Sequence, residues 1–157
     1  MKRNVARTTF AILIAAILLM SAAAMAERQG AACSLARAAG AYGVSDSGTV
    51  VGIGPRAALA RLTLDAAGNI NGSVTASLNG GVSSSTLSGT YAVNRDCTGA
   101  STFGEFDQSG NLLLTATVAF VWDDNMRELR FLFTSVVLPD GTSLPTVING
   151  SARKLVP

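Results

Sequence analysis

The chain has 157 residues, no histidine and two cysteines, and its twelve Lys and Arg residues slightly outnumber its ten Asp and Glu residues. Without histidine it cannot form a Ser-His-Asp triad or one of the common zinc sites, and it lacks the most versatile side chain for proton transfer. Its arginines are scattered rather than clustered, which argues against a nucleic-acid surface. We therefore expect no metal, no other cofactor and no nucleic-acid partner.

The first 26 residues have the three parts of a secretory signal peptide. Three basic residues, at positions 2, 3 and 7, precede an uncharged apolar run over 10–20, and Ala24-Met25-Ala26 fits the small-x-small pattern of a cleavage site. Because the run is shorter than the roughly 20 residues that span a bilayer, we expect cleavage rather than an anchor. Three of the twelve basic residues lie in this segment, so nine remain against ten acidic residues, a net charge of −1. The segment predicts a secreted or periplasmic protein with no membrane span after cleavage.

Cys33, within a short extension over 27–37, and Cys97 both remain after cleavage. In an exported chain an even number of cysteines most often indicates a disulfide. A bridge would close a long loop and stabilise the fold by about 4 kcal/mol on the chain-entropy model. A lipid-anchored Cys33 and a catalytic thiol are weaker alternatives, because the leucine of a lipidation motif and an activating histidine are both missing. We predict a Cys33–Cys97 disulfide.

Residues 38–157 predict a single all-β domain. Apolar and polar residues alternate almost without a break over 69–93, which is the period of a strand with one buried face. Antiparallel strands joined in order form an up-and-down meander, and closing it into a barrel removes both free edges. We predict a closed barrel of about eight strands, with a β-sandwich as the alternative. The strands are expected near 38–46, 57–65, 69–79, 82–94, 100–107, 111–122, 127–138 and 146–155, with a further short piece at 49–53.

Turn residues predict which residues pair across four hairpins. The predicted pairs are Leu64 with Ile70, Ile70 with Tyr91, Phe106 with Leu112, and Trp122 with Arg127. This pairing turns the even-numbered side chains of 58–78 and the odd-numbered ones of 87–93 inward together. On the strand 100–107 it points Gly104 and Phe106 inward, so we expect Glu105 and Asp107 to be solvated acids rather than an acid–base pair.

Large aromatic side chains gather on the inward face, mainly in the hairpin 111–138. They predict a ligand cavity with Arg61 or Arg127 as a polar guide near its mouth, and Trp122 opposite Arg127 could form a cation–π contact. The predicted lining is Tyr42, Tyr91, Phe120, Trp122, Phe131 and Phe133. The alternative is an interior filled by its own side chains, which is common in small eight-stranded barrels.

The other face of the hairpin 111–138 is also apolar. It carries Leu113, Val121, Leu132, Val136 and Leu138. Such an outer strip predicts that another surface packs against it. This could be a second copy of the chain in a homodimer, an envelope partner, or the segment 27–37 lying across the outside.

Several short stretches together resemble a group of small exported bacterial proteins without an assigned activity, similar in shape to calycin and allene oxide cyclase-like barrels. The stretches are Cys33, Gly40-Ala41-Tyr42-Gly43-Val44, Arg61-Leu62-Thr63-Leu64-Asp65 with Gly68-Asn69, Gly89-Thr90-Tyr91-Ala92-Val93-Asn94 with Asp96-Cys97-Thr98-Gly99, and Gly150-Ser151-Ala152-Arg153. The resemblance implies a calycin-like barrel in which, as in lipocalins, Arg153 covers the aromatic side chain of the first strand, here Tyr42. It implies no catalytic residues.

These observations favour a barrel that binds a small apolar molecule, because such a ligand needs only a preformed apolar cavity and a few polar guides. The first alternative is a structural or interaction module that acts through the outer strip of 111–138. A cyclase or isomerase of the allene oxide cyclase kind is less favoured, since it would need polar groups that converge inside the cavity.

Overall fold

The computed structural model describes residues 33–156, in which eight antiparallel strands form a closed barrel. Each strand pairs with the next, and β8 pairs with β1, so no strand in this part of the chain is left as a free edge. The predicted closed meander is confirmed. The strands are β1 (Gly40–Val50), β2 (Gly54–Leu64), β3 (Asn69–Leu78), β4 (Gly81–Val93), β5 (Thr98–Phe106), β6 (Leu112–Asp123), β7 (Glu128–Val137) and β8 (Thr146–Lys154).

Two short helical pieces complete the described part of the chain. A four-residue helix, α1 (Leu35–Ala38), precedes β1, and a 3₁₀ turn over Asp124–Met126 joins β6 to β7. Neither is long or apolar enough to cross a membrane. The predicted signal peptide over 1–26 and the first part of the predicted extension lie outside the described residues.

Alternation along the strands decides which side chains form the core. Ile70 and Val74 on β3 and Leu87 and Tyr91 on β4 are each no more than 6 % exposed, whereas their sequence neighbours face outward. The inward parity predicted for these strands is therefore confirmed. It follows from the pleat of the backbone, which sends successive side chains to opposite faces.

Two of the four predicted pairings are also confirmed. Leu64 faces Ile70 across a loop in which Gly68 has a φ of 92°, and Phe106 faces Leu112. In the first loop the Asp65 carboxylate accepts hydrogen bonds from the backbone N–H groups of Ala67 and Asn69 at 2.9 and 2.8 Å, which fixes the turn. The same arrangement recurs at the β5–β6 turn.

The predicted pairing of Ile70 with Tyr91 is wrong by two residues, because Ile70 faces Gly89. The turn uses Asn79 and Gly80, with φ of 50° and 87°, instead of Gly80 and Gly81. Asn-Gly is the stronger signal for a two-residue turn in which both central residues need positive φ. A shift of two residues keeps every side chain on its predicted face.

The pairing of Trp122 with Arg127 is wrong for a similar reason. Trp122 faces Leu129, since β6 and β7 extend one pair further, to Asp123 and Glu128, before the loop begins. The intervening backbone reverses direction through three successive residues with positive φ, at 124–126. Again the displacement is two residues, so the inward face of the hairpin is the predicted one.

Bulges in two strands overturn the prediction of which side chains face inward. The register between β5 and β6 shifts between Glu105 and Phe106, so the inward face of β5 carries Ser101, Phe103 and Glu105 and not Gly104 and Phe106, although Phe106 pairs as predicted at the turn. In β7 the register shifts opposite Thr117/Val118, and Val136, predicted to lie on the outer strip, is buried. An extra residue in one strand reverses the inward parity beyond it.

The first two strands are longer than predicted. β1 continues to Val50 and β2 begins at Gly54, so the predicted separate piece at 49–53 belongs to one hairpin. Its tight turn is closed by the Ile53 N–H, which donates to the Val50 carbonyl at 3.0 Å. This extension matters for the site because it places Arg56 within a strand.

Candidate ligand-binding site

Helix α1 covers one end of the barrel, which we call the plugged end. Cys33 and Ala38 are buried, and Leu35 packs against the barrel core. The predicted disulfide is present: Cys33 is joined to Cys97 in the β4–β5 turn, with an S–S distance of 2.02 Å. The described part of the segment 27–37 therefore lies across an end of the barrel rather than over its outer strip.

Two tyrosines and a lysine contact α1 from inside the barrel. The Tyr42 hydroxyl donates to the Ala38 carbonyl at 2.6 Å. The Tyr91 hydroxyl donates to the Asp65 carbonyl at 2.5 Å and also lies 3.4 Å from the Leu35 carbonyl of α1. Lys154 donates through Nζ to the Arg37 carbonyl at 3.1 Å, and the same Nζ lies 5.9 Å from the Tyr42 ring centroid. The covering cation predicted at Arg153 is thus Lys154, because Arg153 has the outward parity on β8 and is exposed.

Burial also fixes the protonation of these two hydroxyls. Desolvation, followed by the nearby Asp65 carboxylate, raises the pKa of Tyr91 to about 12. Burial likewise raises the pKa of Tyr42, with Tyr91 adding to the effect. Both tyrosines are therefore neutral hydrogen-bond donors throughout the physiological pH range.

A cavity of about 80 Å³ lies inside the barrel. Its wall is carbon over most of its area and includes five of the six side chains predicted to line it: Tyr42, Tyr91, Phe120, Phe131 and Phe133. The sixth, Trp122, packs beside Tyr42 and Phe120 at ring-centroid distances of 5.5 and 6.1 Å and does not line the cavity. Its Nε1 has no hydrogen-bond partner among the described residues.

Glycines on neighbouring strands make room for the phenylalanine rings. Gly99 faces Phe120, and Gly150 faces Phe131. A Cβ atom at these glycines would lie 2.3 Å from Phe120 Cε2 and 2.6 Å from Phe131 Cζ. Each ring therefore extends across the bare backbone of the next strand, which keeps it against the wall and leaves space at the centre.

Adding a methyl group at one of these glycines is expected to destabilise the barrel. The Cβ of Gly150→Ala would also lie 2.3 Å from the Ser45 carbonyl oxygen, so backbone as well as ring must move. We expect the free energy of unfolding, measured by urea denaturation, to fall by about 1–3 kcal/mol. The matched control is Gly81→Ala, whose Cβ would meet its nearest atom, the Leu78 carbonyl oxygen, at an ordinary 3.4 Å. Equal effects of the two substitutions would contradict this account.

Three charged side chains line the cavity on the side away from the plugged end, and we call them the charged cluster: Asp46, Arg56 and Glu105. Arg56 forms a salt bridge with Asp46, and the two side chains are only 12 % and 9 % exposed. The Arg56 guanidinium also lies 5.6 Å from the Phe133 ring centroid. Glu105 accepts a hydrogen bond from the hydroxyl of Ser85, itself a buried residue.

The environment of the cluster disfavours its negative charge. Burial raises the pKa of Asp46 above its ordinary value, the Arg56 guanidinium opposes that shift, and the charge of Glu105 adds to it. Two carboxylates are therefore accompanied by a single guanidinium in the wall of a mainly apolar cavity. Such an arrangement is unusual for a purely structural interior, in which buried charges are normally paired.

The arginines predicted as polar guides lie elsewhere. Arg61 has the outward parity of β2 and is exposed, and Arg127 lies exposed in the β6–β7 turn. Arg56, which the prediction placed just before the strand, lies inside instead. Asp46 could have been found by following the inward parity of Tyr42 within the predicted strand 38–46, and Arg56 by extending that of Leu62 along a longer strand. Glu105 continues the inward parity of Ser101 and Phe103, and it was misassigned because the prediction extended the parity back from Phe106 at the turn, across the register shift.

The outer strip is only partly as predicted. Leu113, Val121 and Leu132 are 41–49 % exposed on the outer surface, whereas Val136 is in the core. The interaction module that this strip suggested stays a prediction. The cyclase or isomerase alternative also stays a prediction, and its requirement for polar groups inside the cavity is met by the charged cluster.

Comparison with known proteins finds similarity in fold. Neither a protein-family model nor a curated protein sequence matches the chain. A redesigned β-barrel, mFAP1, bound to DFHBI, aligns with a TM-score of 0.51 and 11 % identity, over 77 % of this chain and 98 % of that one. The likeness is one of fold. It does not extend to the bacterial or calycin relationship, which stays a prediction.

Two further solved structures align less well. A second redesigned barrel, b11L5F_LGL, aligns with a TM-score of 0.48 and 10 % identity, over 79 % of this chain and 100 % of that one. The S-type phycobiliprotein lyase CPES from Guillardia theta aligns with a TM-score of 0.46 and 9 % identity, over 78 % of this chain and 91 % of that one.

Proposed function

We propose that this protein is an exported β-barrel that binds a small, mainly apolar molecule in its interior. The observation that carries the proposal is the cavity: an apolar space with aromatic walls and three charged side chains directed into it. A barrel stabilised only by packing would gain from replacing the charged cluster with apolar side chains. The fold is shared with a redesigned barrel whose structure holds the small molecule DFHBI.

The size of the cavity restricts the ligand. About 80 Å³ is well below the roughly 300–1,000 Å³ of sites for drug-sized ligands. It is also smaller than an engineered cavity of about 150 Å³ that holds benzene. We therefore propose a compact ligand, such as a short aliphatic chain or at most one small ring.

Separate observations support the proposed export. The Cys33–Cys97 disulfide belongs to the kind of bond that persists in oxidising compartments. The signal-like segment over 1–26 supports the same location. We propose a secreted or periplasmic protein in which the disulfide keeps the plugged end closed and makes the cavity a permanent feature.

Filling the cavity tests the proposal. Val118 lies on β6, lines the cavity and is 6 % exposed, so Val118→Phe is expected to weaken binding of benzene, measured by ligand-detected NMR, at least tenfold. The control is Val121→Phe on the same strand, where the side chain faces outward and is 46 % exposed. It should bind benzene as the unmodified protein does. Circular dichroism verifies that both variants fold, and benzene binding that is equally tight in Val118→Phe and in the unmodified protein would contradict the proposal.

A further inference from the structure

The charged cluster does not balance its own charge. Among the described residues that line the cavity, two carboxylates, Asp46 and Glu105, accompany a single cation, Arg56. Lys154 is also directed toward the barrel interior, but it lies at the plugged end, over the Tyr42 ring and bound to the Arg37 carbonyl. With both carboxylates ionised, the cavity therefore has one negative charge in excess.

Arg56 is committed to one of the two carboxylates. It forms a salt bridge with Asp46 and lies over the Phe133 ring, whereas Glu105 accepts a hydrogen bond from the neutral Ser85 hydroxyl. A hydroxyl can orient a carboxylate but cannot neutralise it. Glu105 lines a cavity whose wall is mainly carbon, where a carboxylate is better stabilised when a cation joins it.

The apolar surroundings of Glu105 would suit an organic cation better than a metal ion. Phe103 precedes Glu105 on the inward face of β5, and its ring is 6.2 Å from that of Phe133 at an angle of 85°. Aromatic faces attract ammonium groups, and the remaining wall offers carbon to an alkyl chain. A bare metal ion would need several further oxygen ligands.

We infer that the ligand is a small primary amine, whose ammonium group binds between Glu105 and Asp46 while its hydrocarbon part lies among the phenylalanine rings. This inference rests on the proposed function and adds the chemical class of the ligand. An ammonium group supplies three N–H donors and the missing positive charge. A short alkyl chain matches the volume of about 80 Å³.

A series of probes of equal length tests the inference with the unmodified protein. We expect n-butylamine to bind at least tenfold more tightly than n-butanol at pH 7 and low ionic strength, measured by calorimetry, and butyrate to bind most weakly. If butanol or butyrate binds as well as butylamine, the amine inference is overturned while the proposed cavity stands. If benzene and all three probes fail to bind, the proposed function itself is refuted.

A substitution then assigns the effect to the cluster. Glu105→Gln keeps a hydrogen-bond partner for Ser85 but removes the charge, so it should lower butylamine affinity at least tenfold and leave butanol affinity nearly unchanged. The control is Asp123→Asn, which removes a carboxylate that is 62 % exposed at the plugged end and should change neither affinity. An amine preference that survives Glu105→Gln would overturn the inference. If that variant does not fold, the ranking of the three probes decides alone.

Discussion

Replacing Cys33 and Cys97 together with serine is expected to lower the free energy of unfolding by about 4 kcal/mol. The disulfide closes a loop of 64 residues, and a crosslink of that span removes much of the conformational entropy of the unfolded chain. For a domain of this size the loss corresponds to a decrease in Tm on the order of 10–20 °C. Thermal unfolding followed by circular dichroism measures it.

Loss of the disulfide should also release α1 from the barrel. Cys33 is the link between α1 and the β4–β5 turn, and α1 is only four residues long, too short to be stable by itself. Unmodified protein treated with a reducing agent provides the control and should unfold at the same temperature as the double variant. A double variant whose Tm lies within about 3 °C of that of the oxidised protein would show that the remaining contacts of α1 suffice.

The barrel could be predicted from the sequence because strand alternation is a local signal. One residue in two is apolar over most of the chain, and the side that becomes buried follows from the pleat alone. The residues that pair across two strands are harder to predict. Two adjacent glycines after Asn79 allow two turns, and these turns differ by two residues in register. Both turns leave Ile70 and Tyr91 on the inner face, so the predicted face is right although the partner is wrong.

Part of the candidate site could not be predicted from the alternation of residues along the strands. Tyr42, Tyr91 and the phenylalanines were found because they follow the alternation, whereas Glu105 was assigned outward because the alternation was extended back from Phe106 across a bulge. Bulges arise where a sheet must curve to close on itself, and that requirement belongs to the whole barrel rather than to any short stretch. The charged cluster was missed because one of its members lies beyond such a bulge and Arg56 lies before the predicted start of its strand.

Helix α1 was not predicted, for a different reason. A helix of four residues shows no helical period, so only Cys33 indicated that this segment belongs to the fold. Most of its contacts are with distant parts of the chain: the Arg37 carbonyl accepts from Lys154, and Arg37 donates to Asn125. Contacts of this kind depend on the closed barrel already being present.

The second large effect is expected from Arg56→Met, which removes the only cation of the charged cluster. Because Asp46 and Arg56 are 9 % and 12 % exposed, water replaces little of the lost interaction. Removing one partner of a buried ion pair typically costs about 3–5 kcal/mol, since it leaves an unpaired charge behind. We expect a decrease of that size in the free energy of unfolding at pH 7, measured by urea denaturation.

The pH dependence of this loss identifies its cause. Burial and Glu105 both raise the pKa of Asp46, and only Arg56 opposes them, so the pKa rises further in Arg56→Met. When the folded pKa lies above the unfolded value of about 3.9, the folded state holds its proton longer, and stability falls as pH rises through the folded pKa. The loss in free energy of unfolding caused by Arg56→Met should therefore be largest at neutral pH and become smaller towards pH 4.

A second substitution tests the same cause. Adding Asp46→Asn removes the unpaired carboxylate and should recover at least half of the lost free energy of unfolding at pH 7. A deficit that is independent of pH, or unaffected by the second substitution, would instead assign the role of Arg56 to its packing against Phe133.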